Sequence, residues 1–161
     1  MKPNATRCAP PSPPESRPSP ILAGVNANAI LYPMIVLVFW TFAVLLLIPR
    51  RRFGAARERL VSARDFAFGE SENVPGEVRL PNRNYMNLLE LPVLFYLACI
   101  TLVVTGRVEA WSVGLAWAFV VARIAHSLVH LTYNNVFHRL RIFAVSVVLL
   151  MVLWLRVLVL L

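Results

Sequence analysis

Apolar side chains fill four stretches of the chain, about 27–49, 82–105, 110–133 and 139–161, and polar residues punctuate the joins between them. Each stretch supplies about 20 residues or more, enough for a helix to cross a hydrocarbon layer of about 30 Å. The core of the first, Met34 to Ile48, carries no charge and runs into Pro49-Arg50-Arg51-Arg52. Proline interrupts helical hydrogen bonding and a cluster of arginines is costly in hydrocarbon, so the first helix is expected to end there. Gly106-Arg107-Val108-Glu109 predicts a turn between the second and third helices, and Asn134-Asn135 a break between the third and fourth. The pattern predicts an all-α integral membrane protein with four transmembrane helices.

Two segments escape the pattern. Residues 1–26 are rich in proline and serine and are expected to be a disordered tail, because they offer too little apolar surface to offset the entropy of ordering. They lack the short apolar core and small-residue cleavage site of a signal peptide. Residues 50–80 form the one long loop, in which arginines alternate with carboxylates. Its piece 53–68 has the makings of a short surface helix, but a solvated, charge-paired loop is the favoured expectation. Gly69 to Pro81 is read as an irregular connection.

The second and third stretches are not uniformly oily. On a helix, Arg83, Asn87 and Glu90 stand at i, i+4 and i+7, and Arg123, His126 and His130 at i, i+3 and i+7, so each trio shares one face. Polar groups inside a membrane helix are expensive and mark either a functional site or a device that fixes packing. The two helices are antiparallel neighbours, so depths compare directly. Glu90 lies roughly 12 Å beyond Asn82 and Arg123 roughly 15 Å from Tyr133. That match predicts a Glu90–Arg123 ion pair within the membrane. Arg139 enters the fourth helix at the same end, leaving a surplus of positive charge that suits an anionic ligand, above all one with carboxylates. Pro92 would free the carbonyl of Leu88 near this cluster. Arg156, near the other end of the fourth helix, is expected to snorkel to the interface.

Composition sharpens this picture. Hydrophobic residues make up 58% of the 161, far above a soluble domain, and the length fits one domain. The net charge of +8 is almost wholly arginine, gathered beside apolar runs instead of on a soluble basic face. Positive-inside bias explains it better than nucleic-acid binding, and places the loop 50–80 in the cytoplasm with both termini outside. Cys8 and Cys99 form no motif, and Cys99 is expected to be a packing residue.

Other chemistries fit poorly. Three histidines are too few for a histidine-box metal centre, and no second histidine at matching depth suggests haem ligation. Ser127 adjoins His126 in sequence and so points elsewhere, while Ser146 lies deep in an apolar run; neither makes a nucleophilic triad. No phosphate-cradling glycine loop is present.

The spacing Arg83…Asn87…Glu90, then Arg123…His126…His130 and Arg139, resembles the MAPEG family, the membrane-associated proteins of eicosanoid and glutathione metabolism. The resemblance covers about 27–161, and the continuation Leu-Pro-Val-Leu-Phe-Tyr is similar to bacterial members, implying an inner membrane. It implies a homotrimer of four-helix bundles with glutathione bound between subunits and open to the cytosol. Arg83, Asn87, Glu90, Arg123, His126 and, in place of the usual tyrosine, His130 would contact glutathione. Arg139 would be catalytic, stabilising the thiolate for attack on a lipophilic electrophile or peroxide. His130 could instead be an interfacial histidine bonded to Asn134. Phe143 lacks the hydroxyl of a later family aromatic, and Leu140 stands where the prostaglandin synthase has serine; both depart from eicosanoid isomerase chemistry. The rival expectation is a non-catalytic bundle whose polar stripes hold helices and trimer together.

Overall fold

A computed structural model describes residues 26–161; the proline-rich tail and Cys8 lie outside the described residues. Four helices follow in order: α1 Leu31–Arg57, α2 Gly76–Val104, α3 Ala110–Leu131 and α4 Val136–Leu160. All four are long and apolar enough to cross a membrane. The chain is an all-helical, four-helix membrane bundle.

The two helix ends that flank the long loop differ from expectation. Helix α1 passes through Pro49 and the three arginines and stops at Arg57. A proline removes a single helical hydrogen bond, and the Arg- and Ala-rich residues that follow it favour helix. The stop comes where Arg59 takes a left-handed φ of 58° and the Leu60 N–H donates back to the Ala55 carbonyl at 2.9 Å. Likewise α2 starts at Gly76 and runs through Pro81, so the expected irregular connection is helical in its last part. Its first turns form because Val78 packs with Ala55, Val61 and Val74 in a small core beneath the loop, and Glu77 in the first turn complements the helix dipole. No surface helix spans 53–68; those residues end α1 and make a 3-10 turn, Ala63–Phe66. The loop is tied to α1 by an Arg52–Glu70 ion pair of 2.9 Å, with the Arg52 guanidinium 4.4 Å over the Phe66 ring.

Helix α4 begins at Val136 because Asn135 caps it, its Oδ1 accepting from the Phe137 and His138 N–H groups at 3.0 and 3.1 Å. Asn134 supplies the left-handed residue of the turn at φ 47°, and its N–H donates to the Val129 carbonyl at 2.8 Å. At the opposite end, Arg156 reaches the α2–α3 turn and pairs there with Glu109, so α4 is bonded to the turn that precedes α3.

The bundle core joins all four helices, among them Leu37 and Val44, Leu88 and Phe95, Phe119 and Val120, and Leu153 and Val157. Phe95 stacks on Phe119 with ring centroids 4.6 Å apart. Lipid tails are as apolar as leucine, so burial alone does little to join membrane helices; close packing and interhelical hydrogen bonds of about 0.6–2 kcal/mol each do more. One such node sits between α1, α2 and α3. The Ser127 hydroxyl accepts from Trp40 Nε1 at 2.9 Å and from Asn84 Nδ2 at 2.5 Å.

Candidate functional site

The polar cluster lies at the end of the bundle where α1 and α3 finish and α2 and α4 begin. Alternation along the chain puts that end opposite the α2–α3 turn. On α3, Arg123, His126 and His130 face inward and are buried. On α2 the trio splits: Asn87 is half-buried, whereas Arg83 and Glu90 are exposed on the outer face of the bundle.

Two adjoining cavities open among these residues. One, of about 310 Å³, is lined by Arg83, Asn87, Glu90, His130 and Arg139, with Asn82 and Met86. The other, of about 260 Å³, is lined by Asn87, His126, Arg139 and Phe143, with Val136 and Leu140. Asn87 and Arg139 line both. Six of the seven residues singled out in the sequence therefore meet at one place.

Arg123 is the seventh, and it stands behind the cavities. Its expected partner is not its actual one. No ion pair joins it to Glu90; its Nη2 donates instead to the backbone carbonyl of Asn87 at 2.6 Å. The carboxylate points to the outer face of α2 while the guanidinium lies fully inside, so matching depth did not bring the charges together. The carbonyl used is one residue before that of Leu88, which Pro92 leaves without a helical donor. Phe143 covers the other side of the guanidinium, its ring centroid 5.7 Å from the Arg123 carbon, within cation–π range. The residue noted for its missing hydroxyl thus contacts both Arg123 and His126, whose ring lies 5.9 Å away.

Arg139 is held from its own turn, Nη1 donating to Asn134 Oδ1 at 2.7 Å. Both His130 ring nitrogens are without a protein partner, so the His130–Asn134 alternative is not formed. His126 Nδ1, Arg139 Nε, and Nε and Nη1 of Arg123 are also buried without a partner. Buried polar groups are normally satisfied. A cluster of unpartnered arginine donors and imidazole nitrogens around a cavity suits a ligand rich in polar groups. Among the described residues no three His, Cys, Asp or Glu side chains gather as a metal site would require.

Sequence reasoning passed over Asn84 and Trp40. Asn84 lies on a different face from Arg83, Asn87 and Glu90, and its only signal was an amide within an apolar run. Ser127 does point away from His126, and it does so to hold these two.

Fold and cluster together define an integral membrane protein, a four-helix bundle with an arginine- and histidine-lined polar site at one end. The sequence model of the MAPEG family matches residues 30–159. The chain belongs to the MAPEG family. Searches of curated proteins and of solved structures gave no match.

Proposed function

We propose that the cluster binds glutathione, or a similar acidic thiol, and that the protein conjugates it to lipophilic electrophiles or uses it to reduce lipophilic peroxides. The observation that carries this reading is the set of unpartnered nitrogens on Arg139, His126 and His130 around two cavities that share Arg139. Arg83 and Arg139 suit the ligand's carboxylates, and Glu90 suits its ammonium. Bound glutathione supplies a nucleophilic thiol. Arg139, tethered by Asn134, is the residue poised to hold negative charge on that sulfur. His126 and His130 offer ring nitrogens to the peptide, Asn87 orients it through its amide, and Arg123 holds α2 against α3 behind the site.

Glu90 supports a homotrimer. It stands at the middle of the 29-residue α2 on the outer face, and a carboxylate facing lipid there is costly unless a second copy or a ligand covers it. The arginine-rich end is assigned to the cytoplasm, with both termini outside and the membrane a bacterial inner membrane. The second substrate arrives from the lipid.

A non-catalytic bundle is the second reading, favoured by the structural bond from Arg123 to the Asn87 carbonyl. One experiment separates the two. In detergent, millimolar glutathione should raise the melting temperature of the wild type and support conjugation of a model electrophile, while Arg139→Ala loses conjugation. Failure of the wild type to bind, or equal conjugation by Arg139→Ala, would overturn the catalytic reading.

A further inference from the structure

We propose that the arginine-rich end of α1 carries a binding site for an anionic phospholipid, separate from the polar cluster. An apolar groove of about 480 Å³ lies between the last turns of α1, at Ile48, Pro49, Phe53 and Ala56, and the returning loop, at Val61 and Phe66. Its depth in the membrane follows from helix geometry. From Leu31 to Pro49 the helix already rises about 27 Å, close to the full hydrocarbon thickness, so the groove begins at headgroup level. Beneath it, Leu45, Phe42 and Val38 share the face of α1 that carries Pro49 and are exposed. An acyl chain seated in the groove therefore continues onto an apolar stripe that already faces lipid.

Charge selects the headgroup. Between residues 49 and 68 there are six arginines and two carboxylates. Of the two, Asp65 already accepts hydrogen bonds from Ser62 and Ser71. Arg57 and Arg64 are exposed, have no ion-pair partner among the described residues, and directly follow the lining residues Ala56 and Ala63. Arg52 plays a different part: engaged by Glu70 and laid over Phe66, it is wall rather than headgroup contact. A zwitterionic lipid brings its own cation into this positive field, and an anionic one does not. That difference decides the occupant in favour of the anionic lipid over a neutral lipid or a hydrophobic segment of another chain.

The full-length protein in detergent, exposed to equal amounts of phosphatidylglycerol and phosphatidylcholine with matched acyl chains, tests this by native mass spectrometry. The wild type should retain phosphatidylglycerol preferentially. Arg57→Gln with Arg64→Gln, both at exposed positions, should reduce that preference by roughly tenfold or more. Ala56→Trp fills the groove and should lower retention of both lipids, and glycerol phosphate alone should not compete. Equal retention of the two lipids, or an unchanged preference in the double arginine variant, overturns the proposal. So does a crosslink between two copies through Phe53→Cys that excludes lipid, and the arginine test stands even if Ala56→Trp does not fold.

Discussion

Arg123 of α3 donates to the backbone carbonyl of Asn87 on α2 across 2.6 Å, so the most deeply buried cation of the bundle is held by main chain and not by a carboxylate. A charged donor on a neutral carbonyl is worth about 1.5–3 kcal/mol, against a desolvation cost of several kcal/mol for a buried ion. Arg123→Met should therefore leave the unliganded melting temperature within a few degrees of wild type. It should abolish the glutathione-induced rise, because α2 is no longer fixed against α3 at Asn87. Paired thermal melts with and without glutathione measure both.

Ser127 has the opposite character. Ser127→Ala deprives Trp40 Nε1 and Asn84 Nδ2 of their acceptor at once, and each stranded donor costs about 1–3 kcal/mol. Ser127→Ala should thus destabilise the bundle by about 2–6 kcal/mol, and the same change in a Trp40→Phe background should cost less, with a coupling near 1 kcal/mol. Unfolding in mixed micelles across the double-mutant cycle provides the comparison. Additive effects would mean that the hydroxyl is not shared.

Arg52 and Glu70 hold the loop to the end of α1, and both side chains are partly withdrawn from solvent. Arg52→Ala removes the ion pair and the stacking on Phe66 together; a pair at the protein surface is worth about 0.2–1 kcal/mol and the cation–π contact about 0.5–1. Global stability should barely change. Hydrogen exchange between residues 58 and 75 should speed up several-fold, with the exchange of α3 and α4 unaltered.

Loop stability should also respond to acid. The Ser62 N–H at 2.7 Å, then the Ser62 and Ser71 hydroxyls, hold the Asp65 carboxyl below its ordinary value of 3.8. A depressed folded value means that the stabilisation is complete above 3.8 and is lost as pH falls through the lower folded value. Loop protection should be flat at neutral pH and fall only in strong acid. Asp65→Asn should remove that fall, as exchange measured across an acid series would reveal.

The four helices were legible in the sequence because about 20 apolar residues in a row have few other solutions. The two ends that flank the long loop were not. Pro49 and the arginines look like a terminus locally, but the turns beyond them gain contacts from Val61, Val74 and Val78, which no local pattern near Pro49 reveals. The meeting of Arg83, Asn87, His126, His130 and Arg139 followed from helical spacing and alternating direction. The partner of Arg123 did not follow, because depth matching compares side chains and cannot see a main-chain carbonyl. Asn84 and Trp40 escaped for a related reason: a single amide and a single indole look like ordinary membrane residues until a third helix brings Ser127 between them.

Asn134 meets two requirements with one side chain. Its backbone sits at φ 47° to turn α3 into α4, and its amide oxygen accepts the guanidinium of Arg139. Glycine would keep the turn and release the arginine; glutamine would keep an amide but resist the backbone. Aspartate alone among near replacements satisfies both, and it would bring a charge to face the arginine. The turn between α3 and α4 and the hold on Arg139 are therefore coupled through one residue, and a substitution there that alters one bears on the other.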